Sequence, residues 1–251
     1  MRLSEHLAAR SRVKKLLVMT HVVCGYPSFE DNWRELEVMA EFGVDLVELQ
    51  FPFSEPSADG PLFVKANQES LAHGTTVEQC FEFMGRASAH FPFRVLMMGY
   101  YNTAFKMGHE VFVRRLAQAG AVGFILPDLP VEEAGELHAL AAAADLAPIV
   151  LMTPTSTDAR LQTLGAAAHG FVYVVARKGV TGGSTAMNED VTRLLDRCRA
   201  ATDLPLALGF GEATREAGAV SAEHAEIATI GTAALRAREN GGAPGPRASS
   251  T

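Results

Sequence analysis

Residues 116–126 read LAQAGAVGFIL. The first half has the composition of a helix end, and Gly120 suits the left-handed residue just past it. The run that follows, Val122 to Leu126, is apolar on both faces, as in a parallel strand covered by helices. The same unit recurs. MAEFGVDLVEL (39–49) turns at Gly43, and GAAAHGFVYVV (165–175) turns at Gly170. Repetition of helix, glycine and buried strand predicts parallel βαβ units.

Working outward from these units gives eight strand-like runs: 16–23, 45–49, 94–98, 122–126, 147–151, 171–175, 205–209 and 226–230. Helical patterns lie at 29–42, 77–90, 110–119, 132–144, 158–168 and 189–201. Short pieces are expected near 214–221 and 233–240, and one more at 4–10. Eight such units in 251 residues predict an α/β fold of the (β/α)8 TIM-barrel type, a single domain over 1–239. A doubly wound open sheet is the competitor. The tail NGGAPGPRASST (240–251) lacks the apolar content to order itself and is expected to be disordered.

Composition narrows the function. The chain is 48% hydrophobic and 20% charged, with a formal net charge of -7. That balance argues against broad nucleic-acid or anionic-membrane binding, but leaves room for a local anion site built from backbone amides. Cys24, Cys80 and Cys198 form neither a disulfide framework nor a zinc pair and read as reduced thiols. The eight histidines show no ligand spacing, so no metal is expected. The N-terminus lacks the apolar core of a signal peptide, and no apolar run is long enough to span a bilayer. The expected location is the cytoplasm.

In such barrels the chemistry sits in the loops that follow the strands. VELQFPFSEPSADGP (47–61) follows the second. Glu48 lies inside the strand run, where a carboxylate is costly unless paired or protonated, which makes it a candidate general acid or base. Asp59 sits in an Asp-Gly turn, and turn chemistry alone would account for it. ARKGVTGGSTAMNE (176–189) after the sixth strand is glycine-rich and suited to closing over a ligand. LGFGEAT after the seventh and IGTAAL after the eighth bring Gly211, Gly231 and Thr232 to neighbouring strand ends, a candidate phosphate cradle. Tyr100, Tyr101, Asn102 and Tyr173 fit core packing as well as ligand contact. Asp128 reads as a helix cap.

Taken together, VELQFPFSEPSADGP, MGYYN, LPDLPVEE, PTSTDARL, GFVYVVARKGVTG, LGFG and IGTA resemble, in order, the tryptophan synthase α-subunit family over about residues 15–235. The resemblance implies a barrel that cleaves indole-3-glycerol phosphate to indole and glyceraldehyde 3-phosphate by a retro-aldol. Glu48 matches the family's catalytic acid/base, and Asp59 the carboxylate that bonds the indole N–H. Tyr100 and Tyr173 match pocket aromatics. Thr181 and Gly182 match the closing loop, with Thr181 meeting Asp59. Gly182, Gly211, Gly231 and Thr232 match the phosphate site, beside Phe210 as a further substrate contact. The resemblance also implies no cofactor or metal in this chain, and a β subunit that carries pyridoxal phosphate as its partner.

The sequence departs from the family pattern at several points. Thr232 replaces a serine, Gln50 a glycine beside Glu48, and Glu55 and Ser57 an aspartate and a leucine on the loop expected to face the β subunit. His21 replaces an aromatic or apolar residue near the indole pocket. These departures leave a stand-alone lyase that releases free indole, or a catalytically inactive phosphate-ligand-binding module, as alternatives.

Overall fold

The computed structural model describes residues 3–175, 184–210, 223–231 and 235. Eight strands close into a barrel in sequence order: β1 (Leu17–Val23), β2 (Leu46–Gln50), β3 (Arg94–Met98), β4 (Gly123–Ile125), β5 (Ala147–Met152), β6 (Val172–Val175), β7 (Leu206–Phe210) and β8 (Ile227–Ile230). Neighbours are parallel, and β8 returns to β1 with Leu17 opposite Ile227. This is the expected (β/α)8 architecture, and closure removes the open-sheet alternative. The helices among the described residues are α1 (Leu3–Ser11), α2 (Phe29–Glu41), α3 (Pro61–Ala72), α4 (Val77–His90), α5 (Tyr101–Met107), α6 (His109–Gln118), α7 (Gly135–Ala143), α8 (Asp158–Ala167) and α9 (Ser184–Arg199). None is long and apolar enough to cross a membrane. The pieces expected at 214–221 and 233–240 and the tail from 240 lie outside the described residues, Leu235 excepted.

The repeated glycine does what its position demands. Gly43, Gly120 and Gly170 have φ of 69°, 72° and 72°, the left-handed conformation that turns each chain segment from helix into strand. Two helices depart from the sequence expectation. α3 starts with Pro61 and no side-chain cap, and its buried face mixes Phe63 and Ala66 with Asn67 and Ser70, which hides the apolar period. α5 is a seven-residue helix with Ala104 as its buried residue, too little to register as a pattern.

Strand alternation sorts the side chains into two layers. Inside the barrel, Leu17, Met19, Leu46, Leu96, Met98, Ile149, Phe171, Ala207 and Ile227 pack together, with Leu151 and Tyr173 against them. Outside, Val22, Val47, Leu49, Val95, Met97 and Phe124 pack beneath the helices beside Phe83, Met84 and Leu116. Val150, Val172, Val174, Leu206 and Leu208 do the same under α8 and α9 with Leu161 and Leu195. Each such side chain contributes roughly 1.5–3 kcal/mol through burial.

The lower end of the barrel is closed by α1, whose Leu3 and Leu7 belong to the inner layer. Asp45, just before β2 and fully buried, fixes this end: it accepts from Arg10 Nε at 2.6 Å, Lys14 Nζ at 3.0 Å and Val18 N at 3.0 Å. Because Met19 and Leu46 point inward, so do the residues two positions further along, His21 and Glu48, and then Gln50. The fold therefore brings three polar side chains together at the upper end of β1 and β2.

Candidate active site

In the β1–β2 register His21 lies opposite Glu48 and Val23 opposite Gln50. Glu48 is 2% exposed. Its Oε2 is 3.2 Å from His21 Nδ1, and its Oε1, buried, makes no hydrogen bond among the described residues. A buried carboxylate oxygen without a partner is costly, and such groups occur where a substrate supplies the partner.

Asp59 is half-buried on the loop that leads into α3. Asn67 of α3 shapes this loop by accepting from Phe53 N at 2.9 Å and donating to Phe63 O at 2.7 Å. Asp59 Oδ2 accepts from Gln50 Nε2 at 2.7 Å and from Tyr100 Oη at 3.1 Å. The same Tyr100 oxygen accepts from Ala58 N at 3.0 Å, and the ring stacks on Phe53 with centroids 5.1 Å apart. Tyr100 thus pins both the backbone and the carboxylate of the loop. Its phenol is pushed well above the ordinary range by burial and by the charge of Asp59, so it stays a donor.

His21 completes the connection. Its Nε2 is 2.8 Å from Gln50 Oε1, and its ring sits 4.4 Å from that of Phe63. Burial alone would lower its pKa. The hydrogen bond and charge of Glu48, the charge of Asp59 and the hydrogen bond of Gln50 outweigh that and raise it. Across the barrel, burial and the Glu48 charge push the Tyr173 phenol well above its usual value. Gly209 makes room for that ring: a Cβ there would stand 2.9 Å from Tyr173 Cε1.

The structure therefore brings Glu48, Asp59 and Tyr100 into one connected set, with Tyr173 facing the same interior. Gly231 follows β8, where a Cβ would stand 3.6 Å from His21 Cβ, so this strand end adjoins the set. Phe210 ends β7 through its backbone, and its side chain lies outside the described residues, as do Thr181, Gly182, Gly211 and Thr232. Asp128 corrects its expectation. It caps not the helix that follows β4 but the start of α5, accepting from Tyr101 N at 2.9 and 3.1 Å. Glu55 and Ser57 are exposed on the loop. A cavity of about 460 Å3 beside β4 and β5 reaches Ala58, Leu126, Asp128 and Leu151 but neither Glu48 nor Asp59. Among the described residues no group of three or more His, Cys, Asp or Glu could hold a metal ion. The three cysteines are free and buried.

Sequence reasoning singled out His21 and Gln50 as departures and missed that they touch. The signal was available: His21 follows Met19 by two, and Gln50 follows Glu48 by two, so both share the inward face.

Comparison with known proteins adds independent support. The family model for the tryptophan synthase alpha chain matches residues 7–244. The tryptophan synthase alpha chain of Syntrophotalea carbinolica is 46% identical over 231 residues, covering 92% of this chain and 91% of that protein. That of Desulfotalea psychrophila is 45% identical over 242 residues, covering 96% and 95%. A chain in a crystal structure of tryptophan synthase from M. tuberculosis superposes with a TM-score of 0.86 at 29% identity, covering 96% of this chain and 92% of that one. Tryptophan synthase subunit alpha from Campylobacter jejuni gives 0.79 at 27% identity, covering 87% and 88%.

Proposed function

Because this chain belongs to the tryptophan synthase alpha chain family, we infer that it is a carbon–carbon lyase of tryptophan biosynthesis that cleaves indole-3-glycerol phosphate to indole and glyceraldehyde 3-phosphate. The observation that carries this reading is the buried Glu48, with one oxygen unpartnered among the described residues on the inner face of the barrel and a second carboxylate, Asp59, held half-exposed at the rim.

The retro-aldol needs a proton delivered to C3 of the indole and a proton removed from the side-chain hydroxyl. C3 protonation turns the indole into a cationic indolenine. The bond from C3 to the carbinol carbon then breaks, its electrons return to the ring, and the carbinol carbon becomes the aldehyde. One proton enters and one leaves, so a single acid/base that acts twice balances the reaction. Glu48 Oε1 suits that task, because it is buried and, among the described residues, unpaired. Asp59, oriented by Gln50 and Tyr100, suits the indole N–H, where its charge stabilises the cationic ring. Two carboxylates in different surroundings thus take different roles. Tyr173 is assigned to the indole pocket, Gly182, Gly211, Gly231 and Thr232 to the phosphate end and Phe210 to a further substrate contact, with Thr181 closing on Asp59. The partner is a β subunit that carries pyridoxal phosphate and consumes the indole.

The test is indole release from indole-3-glycerol phosphate by the purified chain, with and without a tryptophan synthase β subunit. Glu48→Gln and Asp59→Asn should each lower kcat by roughly 100-fold or more while the protein stays folded. A near-normal kcat in either variant would remove that residue from the chemistry.

A further inference from the structure

We propose that His21 and Gln50 form a bridge that ties the two carboxylates together, with His21 sharing one proton with Glu48 and so leaving Glu48 Oε1 as the oxygen that meets the substrate. The inference rests on the lyase reading above and concerns the residues that act through Glu48, not Glu48 itself.

The argument is one of hydrogen-bond direction. Asp59 Oδ2, when ionised, only accepts, so the Gln50 group 2.7 Å from it is the NH2. That fixes the amide and turns its carbonyl oxygen to His21 Nε2, 2.8 Å away. A carbonyl accepts, so Nε2 carries a hydrogen. His21 Nδ1 then faces Glu48 Oε2 at 3.2 Å with two options. If the imidazole is neutral, Nδ1 accepts and Glu48 holds the proton on Oε2. If it is charged, Nδ1 donates and Glu48 is a carboxylate. Both options place one proton between Nδ1 and Oε2. Since Oε1 is buried and unpartnered among the described residues, the bridge also sets which oxygen does the work.

The groups around His21 fit this role. β2 presents Glu48, the loop before α3 presents Asp59, α3 presents the uncharged Phe63, and Gly231 follows β8. The two titratable groups that act on the imidazole are therefore acids, and they favour its protonated form. In the reaction, Oε1, which carries no proton in either option, takes one from the hydroxyl and passes one to C3. The proton held with His21 does not leave, and the pair ends the cycle as it began. His21 is a positioning residue here, and Gln50 sets its tautomer.

The experiment has two independent readouts. The first is ring-nitrogen NMR of the full chain labelled with 15N-histidine, the His21 signals being those missing in His21→Phe. Wild type should keep Nε2 protonated across pH 6–9, with Nδ1 titrating above about 6.5. Glu48→Gln should lower that midpoint by about one unit or more, and Gln50→Leu should give a mixture of tautomers. A midpoint at or below the free value, or one unmoved by Glu48→Gln, overturns the bridge. The second is kcat/KM for indole-3-glycerol phosphate against pH. His21→Phe should move the acidic limb, because the imidazole that shares the proton is gone. An unmoved limb also overturns the proposal while the lyase reading stands. Absence of any indole release from wild type would overturn the lyase reading, and the NMR result would still decide whether the proton is shared.

Discussion

Gly209 offers a prediction whose sign depends on a single neighbour. It lies in β7, and a Cβ built on it stands 2.9 Å from Tyr173 Cε1, 3.2 Å from Oη and 3.5 Å from Cζ. Comfortable carbon contacts lie at about 3.5–4.0 Å, so the ring must retreat by roughly half an ångström. Overpacking of this kind costs about 1–3 kcal/mol. Against it stands the gain of about 0.5–1 kcal/mol from replacing glycine by alanine within a strand. Gly209→Ala should therefore destabilise by about 1 kcal/mol. In a Tyr173→Ala background the obstruction is gone, and the same substitution should stabilise by about 0.5–1 kcal/mol. The coupling is then on the order of 2 kcal/mol. Urea unfolding of the four proteins measures it. If Gly209→Ala has the same sign and size in both backgrounds, Tyr173 is not what excludes a side chain there. The single variant should also raise KM for the substrate, since the displaced ring faces the barrel interior.

Three further outcomes are expected. Asp45→Ala, which removes the acceptor for Arg10, Lys14 and Val18 N, should lower unfolding free energy by on the order of 3 kcal/mol in urea titrations, with KM unchanged because the latch lies at the opposite end from Glu48. Tyr100→Phe keeps the stack on Phe53 but frees one side of Asp59, so kcat/KM should fall about tenfold, the equivalent of one charge-assisted hydrogen bond. The drop should be flat between pH 6 and 9, since the phenol stays protonated there; a tyrosine-like titration in that window would contradict it. His21 has a raised folded-state pKa, so its contribution to stability is present below the unfolded value of about 6.5 and lost as pH rises through the folded one. The stability gap between wild type and His21→Phe should accordingly be larger at pH 6 than at pH 9, and a gap that widens with pH would refute the assignment.

The strands were legible because each is a local event. A run apolar on both faces announced each of the eight, three of them also by a glycine after a helix, and β3 matches its expected limits, Arg94–Met98, residue for residue. α3 escaped because two of its buried positions are polar: Asn67 and Ser70 serve the loops, Ser70 donating to Cys24 O at 2.6 Å, and a hydrophobic period cannot show them. The two carboxylates are singled out through motif resemblance more than through burial, since an Asp-Gly turn explains Asp59 without chemistry. The link between them was not found, because it is a matter of register. His21 and Glu48 are 27 positions apart and become neighbours only when β1 and β2 align. Asp128 likewise serves a helix that precedes it in the chain.

The leucines that α1 places under the barrel have a consequence for traffic. With that end stoppered and the cylinder filled with Met19, Leu46, Leu96 and Phe171, the described residues leave Glu48 to be approached from the rim and not from the floor. Whatever enters also departs by that doorway, so the segments around it control both admission and exit, and they can diverge in sequence without disturbing the sealed floor beneath.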